Sequence, residues 1–385
     1  MNSHTFRTWI EIDRKALRHN VGEFFRLIPE HTRLMAVIKS NAYGHGLMTT
    51  AEELLKMKYF AHRGWFGVDS IVEALRLRRE GIGNPILVFG FTLPGRIEEA
   101  ARERISISIS HFDALDAVAR MAVRPAIHLK LDTGMHRQGF LSHDVSRLIR
   151  ALKKQKINPE GVFTHFAAAK DVAYPTYTFA QLTDFHAGVE QMNIAGFSPF
   201  IRHAAATGGT LLFPDSHLDM VRIGIGLYGY WPSEEAKSAR RKAQDKDKKM
   251  QIKLRPALTW KTVISEIKRI PQDSFVGYDL TERVHRATTI AVVPIGYWHG
   301  YDRGFSGIGY MLVRGHRARV LGRVSMDMTV IDVTDIPNAR SGDEVVVVGT
   351  QGKQTVSAED LGRTIGTSAY EVLTRINPLI KRIVI

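Results

Sequence analysis

The chain has 385 residues, 44% of them hydrophobic and 24% charged, with a formal net charge of +14. Two domains with separate cores fit that length, and the composition is that of an ordinary globular protein. The absence of cysteine excludes disulfides, thiol nucleophiles and thiolate metal sites.

No apolar run is long enough to span a membrane, so no membrane partner is expected. The start, MNSHTFRTWIEID, lacks the apolar core of a secretory signal, so a cytoplasmic location is expected. No basic-aromatic pattern accompanies the positive charge, and no nucleic-acid partner is expected.

In chain order, residues 8–12 read as a strand. Asp13 has the form of an N-cap ahead of Leu17, Val21, Phe24, Phe25 and Ile28 at helical spacing. Further strands are predicted at 34–38, 65–68, 86–89, 105–109, 126–131, 161–165, 200–203 and 219–223. Helical patterns lie between most of them, clearest at 70–80 and 178–192. This alternation predicts a (β/α)8 TIM-type barrel over 13–233, and no Rossmann glycine fingerprint favours an open sheet. Residues 234–253 hold eight Lys/Arg against four Asp/Glu without apolar periodicity, the pattern of a charged linker or loop. Short β-branched segments follow at 258–267, 288–293, 310–313, 317–321, 328–333, 344–348 and 380–385. They predict a mostly β domain over 254–385, which strand 8–12 is expected to join.

Chemistry in such a barrel gathers at the carboxyl ends of its strands. Lys39 directly follows the apolar run Leu34–Ile38, where partial desolvation would lower its pKa and expose a neutral amine to a carbonyl cofactor. The plain alternative is a strand-end lysine that snorkels to water. The fifth strand brings Lys130, Asp132 and Arg137 to the same end, and the sixth brings His165. Glycine-rich turns after the last two strands would place Thr207, Gly224 and Ile225 around a phosphate, with the Tyr43 hydroxyl as a further donor. Alternatively they are only tight turns.

The string AVIKSNAYGHG at 36–46 resembles the cofactor-lysine motif of the alanine racemases, pyridoxal-phosphate (PLP) enzymes of fold-type III. The resemblance extends through LKLDTGMHRQG, THFA, FPDSHLDMVRIGIGLYG, VGYDLT, VVPIGYWHGY, GRVSMDM and GDEVVVVG, nearly the whole chain in order. It implies a homodimer with active sites shared between subunits, interconverting L- and D-alanine and supplying D-alanine for peptidoglycan. Lys39 would carry PLP and serve as one base; Tyr278, reaching in from the partner subunit, would be the other. Arg222 would face the pyridine nitrogen with His165 beside it, and both, as cations, would favour the Tyr278 phenolate. Tyr370 would border the cofactor and, with Tyr297, narrow the access. Arg137 and the Met326 backbone N–H would bind the substrate carboxylate. Lys130 would be open to carbamylation. No metal is implied.

Outside that context Tyr278, Tyr297 and Tyr370 read as ordinary interface aromatics, and Asp132 and Asp327 as turn closers. The chain departs from the family pattern at Ala206-Thr207, where many members have Asn-Ser, and at Trp298-His299, where Ala-Asp is usual. A racemase of another amino acid, a decarboxylase of the same two-domain layout and a non-catalytic PLP-binding protein are the rival readings. The decarboxylase would pair the ring nitrogen with a carboxylate, and this chain offers Arg222.

Overall fold

The structure, a computed structural model, describes residues 6–246 and 251–385. They form two compact units. One consists of Lys15–Ala42 and Thr50–Pro256; the other takes in the chain up to Arg14, Tyr43–Thr49 and Ala257–Ile385.

In the first unit, eight parallel strands make a nearly closed barrel. In order they are Arg33–Val37, Trp65–Val68, Ile86–Val88, Ser106–Ile109, Ile127–Asp132, Gly161–Phe163, Ile201–His203 and Met220–Ile223. The last strand pairs with the first, placing Arg222 opposite Met35. The seventh and eighth meet more loosely: Asp219 N donates to Arg202 O (3.1 Å) and Arg222 N to Ala205 O (2.9 Å). The Arg202 guanidinium latches that seam with hydrogen bonds of 2.8 and 2.9 Å to the Asp219 carboxylate.

Most strands are buried on both faces, which is why they appear in the sequence as continuous apolar runs. Met35, Trp65, Leu87 and Met220 fill part of the interior. Helices follow the strands; Ile71–Arg79, for example, starts on a reciprocal cap between Ser70 and Glu73.

The charged stretch differs from its predicted form. Glu234–Lys246 is a helix, because Ala236 and Arg240 lie four residues apart on one buried face. Arg240 Nη1 donates to Leu211 O (2.8 Å), so an arginine occupies an inward position that apolar periodicity cannot register. The predicted loop also covers residues 247–250, which lie outside the described residues.

The second unit is built on a sheet of ten strands. Eight of its strands run Glu266–Ile270, Thr288–Val293, Thr329–Asp332, His316–Leu321, Tyr310–Val313, Glu344–Gln351, Leu258–Val263 and Thr8–Ile12. Lys381–Val384 lies parallel to Thr8–Ile12 at the edge, and Gln354–Val356 pairs back on Glu344–Gln351. The single segment predicted at 258–267 is two strands. After Val263 the chain leaves Glu344–Gln351 and pairs with Thr288–Val293, with Ser265 N donating to Val292 O (2.9 Å). Two short helices, Ala358–Thr364 and Ala369–Thr374, were not predicted.

Candidate active site

Lys39 opens a turn of the wrong hand. Ser40, Asn41, Ala42 and Tyr43 all have φ of 51–54°, followed by Gly44 at 85°. Left-handed geometry costs a non-glycine residue about 1–2 kcal/mol, so four in succession persist only under outside restraint. The Ser40 amide donates to Glu73 Oε1 (2.6 Å), Ala42 N donates to Ile38 O (2.8 Å), and the Ala42 methyl is fully buried. Lys39 is half-buried at the strand end. Its side chain is 37% exposed and pairs with Asp69 at 3.3 Å, beyond the end of the neighbouring strand.

Around it, the strand ends supply three more cations. Lys130 is buried, its Nζ 3.5 Å from Gln138 Oε1 and 5.8 Å from the Phe163 ring centre. Burial first, then the Arg137 and Arg222 charges, bring its ammonium down to about 8. Arg137 itself is exposed. Asp132 accepts from the amides of Gly134 (3.1 Å) and His136 (2.9 Å), as a turn closer does.

Arg222 is held by four acceptors. Its Nη1 donates to His203 Nδ1 (2.9 Å); its Nη2 reaches Thr164 O (2.8 Å), Ala204 O (2.7 Å) and His165 Nδ1 (3.2 Å). Among the described residues nothing accepts from Nε. Burial lowers the guanidinium to about 9, and it remains a cation at neutral pH. His165 is not the cation expected. Burial, followed by the charges of Arg222, Lys130, Arg137 and Lys39, drives it down to about 3.

Past the last two strands the chain closes into a hydrogen-bonded turn. The Thr207 hydroxyl accepts from the amides of Gly224 (3.2 Å) and Gly226 (3.4 Å), beside buried Ile225. A Cβ on Gly226 would sit 2.5 Å from the Phe24 ring, so only glycine lets this turn close. Ala206 precedes the helix Thr207–Leu212 without a side-chain cap, the polar group lost by its departure from Asn. With the Gly224 and Gly226 amides spent on Thr207, the Thr207 hydroxyl proton and the Ile225 amide are the donors left among the described residues for a phosphate, and an unprotonated ring nitrogen suits the unspent Nε. The residues present therefore fit PLP.

The other predicted residues belong to the second unit. Tyr43 and Tyr370 pack ring to ring at 6.1 Å, and burial followed by the Tyr43 contact raises the Tyr370 phenol. Tyr278 is 67% exposed on the turn Tyr278–Leu280, whose Asp279 pairs with Arg323 at 2.9 Å. Tyr297 N donates to Ser325 O (3.1 Å) and Trp298 N to Met326 O (3.0 Å), tying those two loops together. His299 is buried and its Nδ1 accepts from Gly296 N (3.2 Å), so this departure caps a turn. Trp298 points to solvent.

The family model of the alanine racemase N-terminal domain matches residues 12–232, and that of the C-terminal domain matches 257–384. The chain belongs to the alanine racemase family. It is an enzyme. It is 37% identical over 388 residues to the alanine racemase of Leptospira interrogans (serovar copenhageni), covering 99% of this chain and 96% of the relative. To that of Symbiobacterium thermophilum it is 38% identical over 382 residues, covering 97% and 96%. Among solved structures, alanine racemase from the D-cycloserine producer Streptomyces lavendulae superposes with a TM-score of 0.87 at 33% identity, over 98% of this chain and 97% of that one. The Bacillus anthracis enzyme with bound L-Ala-P gives 0.89 at 31%, over 98% and 95%.

Asp69 and Gln138 are site residues that sequence reasoning missed. Asp69 was findable: it directly follows the predicted strand at 65–68, at the same end of the barrel as Lys39. His128 and His203, inside strands, carry no local signal beyond their polarity.

Proposed function

We propose that this enzyme interconverts L- and D-alanine with PLP held on Lys39. Family membership supports the substrate, and one observation supports the cofactor chemistry: Arg222 sits buried at the carboxyl end of the barrel with Nε unspent among the described residues. Bound PLP supplies an electron sink that acidifies the α-proton of an attached amino acid. Thr207, Gly224 and Ile225 hold its phosphate, with Tyr43 and Tyr370 alongside. Arg222 faces the ring nitrogen and, because a guanidinium does not give up its proton, leaves that nitrogen unprotonated and the sink weak. Proton return to Cα is thereby favoured over side reactions.

Lys39 moves the proton on one face of Cα, and the partner's Tyr278 moves it on the other. Arg137 and the Met326 amide bind the substrate carboxylate, and Tyr297 limits side-chain size. Lys130, with its lowered pKa, is open to carbamylation, which would turn a cation beside Arg137 into an anion. The division into a barrel at 13–233 and a β domain at 254–385, the homodimer, a cytoplasmic location and supply of D-alanine to peptidoglycan complete the proposal.

The test is incubation with L-alanine and PLP followed by resolution of the enantiomers. D-Alanine at a rate above the protein-free control is expected. Carbon dioxide release instead would favour a decarboxylase, and turnover of larger amino acids alone would move the substrate.

A further inference from the structure

A hydrogen-bonded chain runs through the barrel interior from its amino-terminal end to Arg222. Ser106 Oγ donates to Glu160 Oε2 (2.5 Å), and His128 Nε2 lies 3.2 Å from the same oxygen. His128 Nδ1 lies 2.8 Å from His203 Nε2, and His203 Nδ1 lies 2.9 Å from Arg222 Nη1. Both histidines are fully buried.

The two ends fix the direction of every bond between them. A guanidinium only donates, so His203 Nδ1 must hold a lone pair and its Nε2 the proton. His128 Nδ1 then accepts and its Nε2–H points to Glu160, which as a carboxylate only accepts. Burial, the largest influence on each ring, disfavours the imidazolium at both histidines, and the Arg222 charge adds to it. At Glu160 burial pushes upward, but the hydrogen bonds from His128 and Ser106 outweigh it and hold the carboxyl below its usual range.

The rings are seated as well as bonded. Phe163 stacks on His203 at 4.8 Å and 8°, and Trp65 meets His128 edge-on at 5.6 Å. A Cβ on Gly161 would lie 2.3 Å from His128 Nδ1, so that glycine leaves the space the imidazole needs. Among the described residues no carboxylate bonds directly to Arg222. Glu160 is the anion at the far end of its chain. Buried polar groups on this scale are costly unless every donor is matched.

We propose that Glu160, His128 and His203 are positioning residues, a one-way relay that fixes the Arg222 guanidinium from behind and so holds its Nε in one orientation. The proposal builds on the role given to Arg222 above, but its test needs neither turnover nor bound cofactor. In the full chain, nitrogen NMR of the histidines should find His128 and His203 neutral, both with the proton on Nε2. The Arg222 Nη1–H that donates to His203 should exchange slowly with water. Gly161→Ala, which displaces the His128 ring, and Glu160→Leu, which removes its acceptor, should each speed that exchange about tenfold. Val189→Ala, a core change away from the chain, should leave it unaltered. An imidazolium or an Nδ1–H tautomer at either histidine in the unmodified protein would overturn the relay. So would parent-like exchange in the folded Glu160→Leu variant. A chain that passes these tests yet binds no PLP keeps the relay and loses the proposed function.

Discussion

Three cationic side chains around the barrel mouth make separable predictions. Lys39→Ala removes the amine that would carry the cofactor, so the visible band of lysine-bound PLP should vanish along with racemisation; absorption spectra of the dialysed protein check this. Arg222→Glu replaces a permanent cation with a group that favours a protonated ring nitrogen. Racemisation should slow while transamination of the cofactor rises, measured as the ratio of D-alanine to pyruvate. Lys130 connects to pH. Its folded value of about 8 lies below its ordinary 10.5. Between those values the unfolded chain holds a proton that the folded chain has released, so this lysine contributes stability that grows as pH rises through the window. Urea midpoints compared between the parent and Lys130→Met should therefore diverge from pH 8 to 10 in the parent's favour. The same neutral amine should take up carbon dioxide more readily above pH 8, seen as a mass increment in bicarbonate.

Helices and strands show where the sequence was readable. The eight barrel strands were, most of them because burial on both faces leaves short apolar runs. The site's strand-end residues followed from that registration, Lys39 and Lys130 above all. The left-handed turn at Ser40–Tyr43 was not legible: no residue in it favours positive φ strongly, and tertiary contacts to Glu73 and around Ala42 impose it. Glu234–Lys246 was misread because charge stood for exposure, while Arg240 is buried. Its burial yields a prediction. Arg240→Ala should cost about 1–3 kcal/mol of stability by leaving Leu211 O unpaired, whereas Arg241→Ala on the exposed face should stay within about 0.5 kcal/mol. Thermal unfolding of the two variants separates them.

Across the whole molecule, the second unit leaves apolar side chains in water. Tyr278, Leu280, Tyr297, Trp298, Met326 and Met328 are all exposed, and the Asp279–Arg323 pair and the backbone bonds from Tyr297 to Ser325 and Trp298 to Met326 gather their loops. Such a patch is characteristic of surfaces that associate. A second copy is the occupant that the proposed shared site requires. Tyr278→Phe alone should abolish racemisation and retain PLP, with α-proton exchange in heavy water surviving for D-alanine only. Co-expressed with Lys39→Ala, it should give mixed dimers in which one site has both bases. Activity in isolated mixed dimers supports the shared site; verified mixed dimers without activity would require both bases to come from one chain.

The pairing of Thr8–Ile12 with Leu258–Val263 and Lys381–Val384 sets a schedule for biosynthesis. At roughly 5–20 residues per second, that first strand leaves the ribosome about 20–70 s before its last partner is made. The barrel, whose own strands end at Ile223, has time to form while the strand ahead of it is still unpaired. Until the C-terminal residues emerge, Trp9, Ile10 and Ile12 lack part of the cover they have in the finished sheet. Nascent chains stalled after residue 378 should therefore bind a hydrophobic-segment chaperone through residues 8–12, and chains released at full length should not.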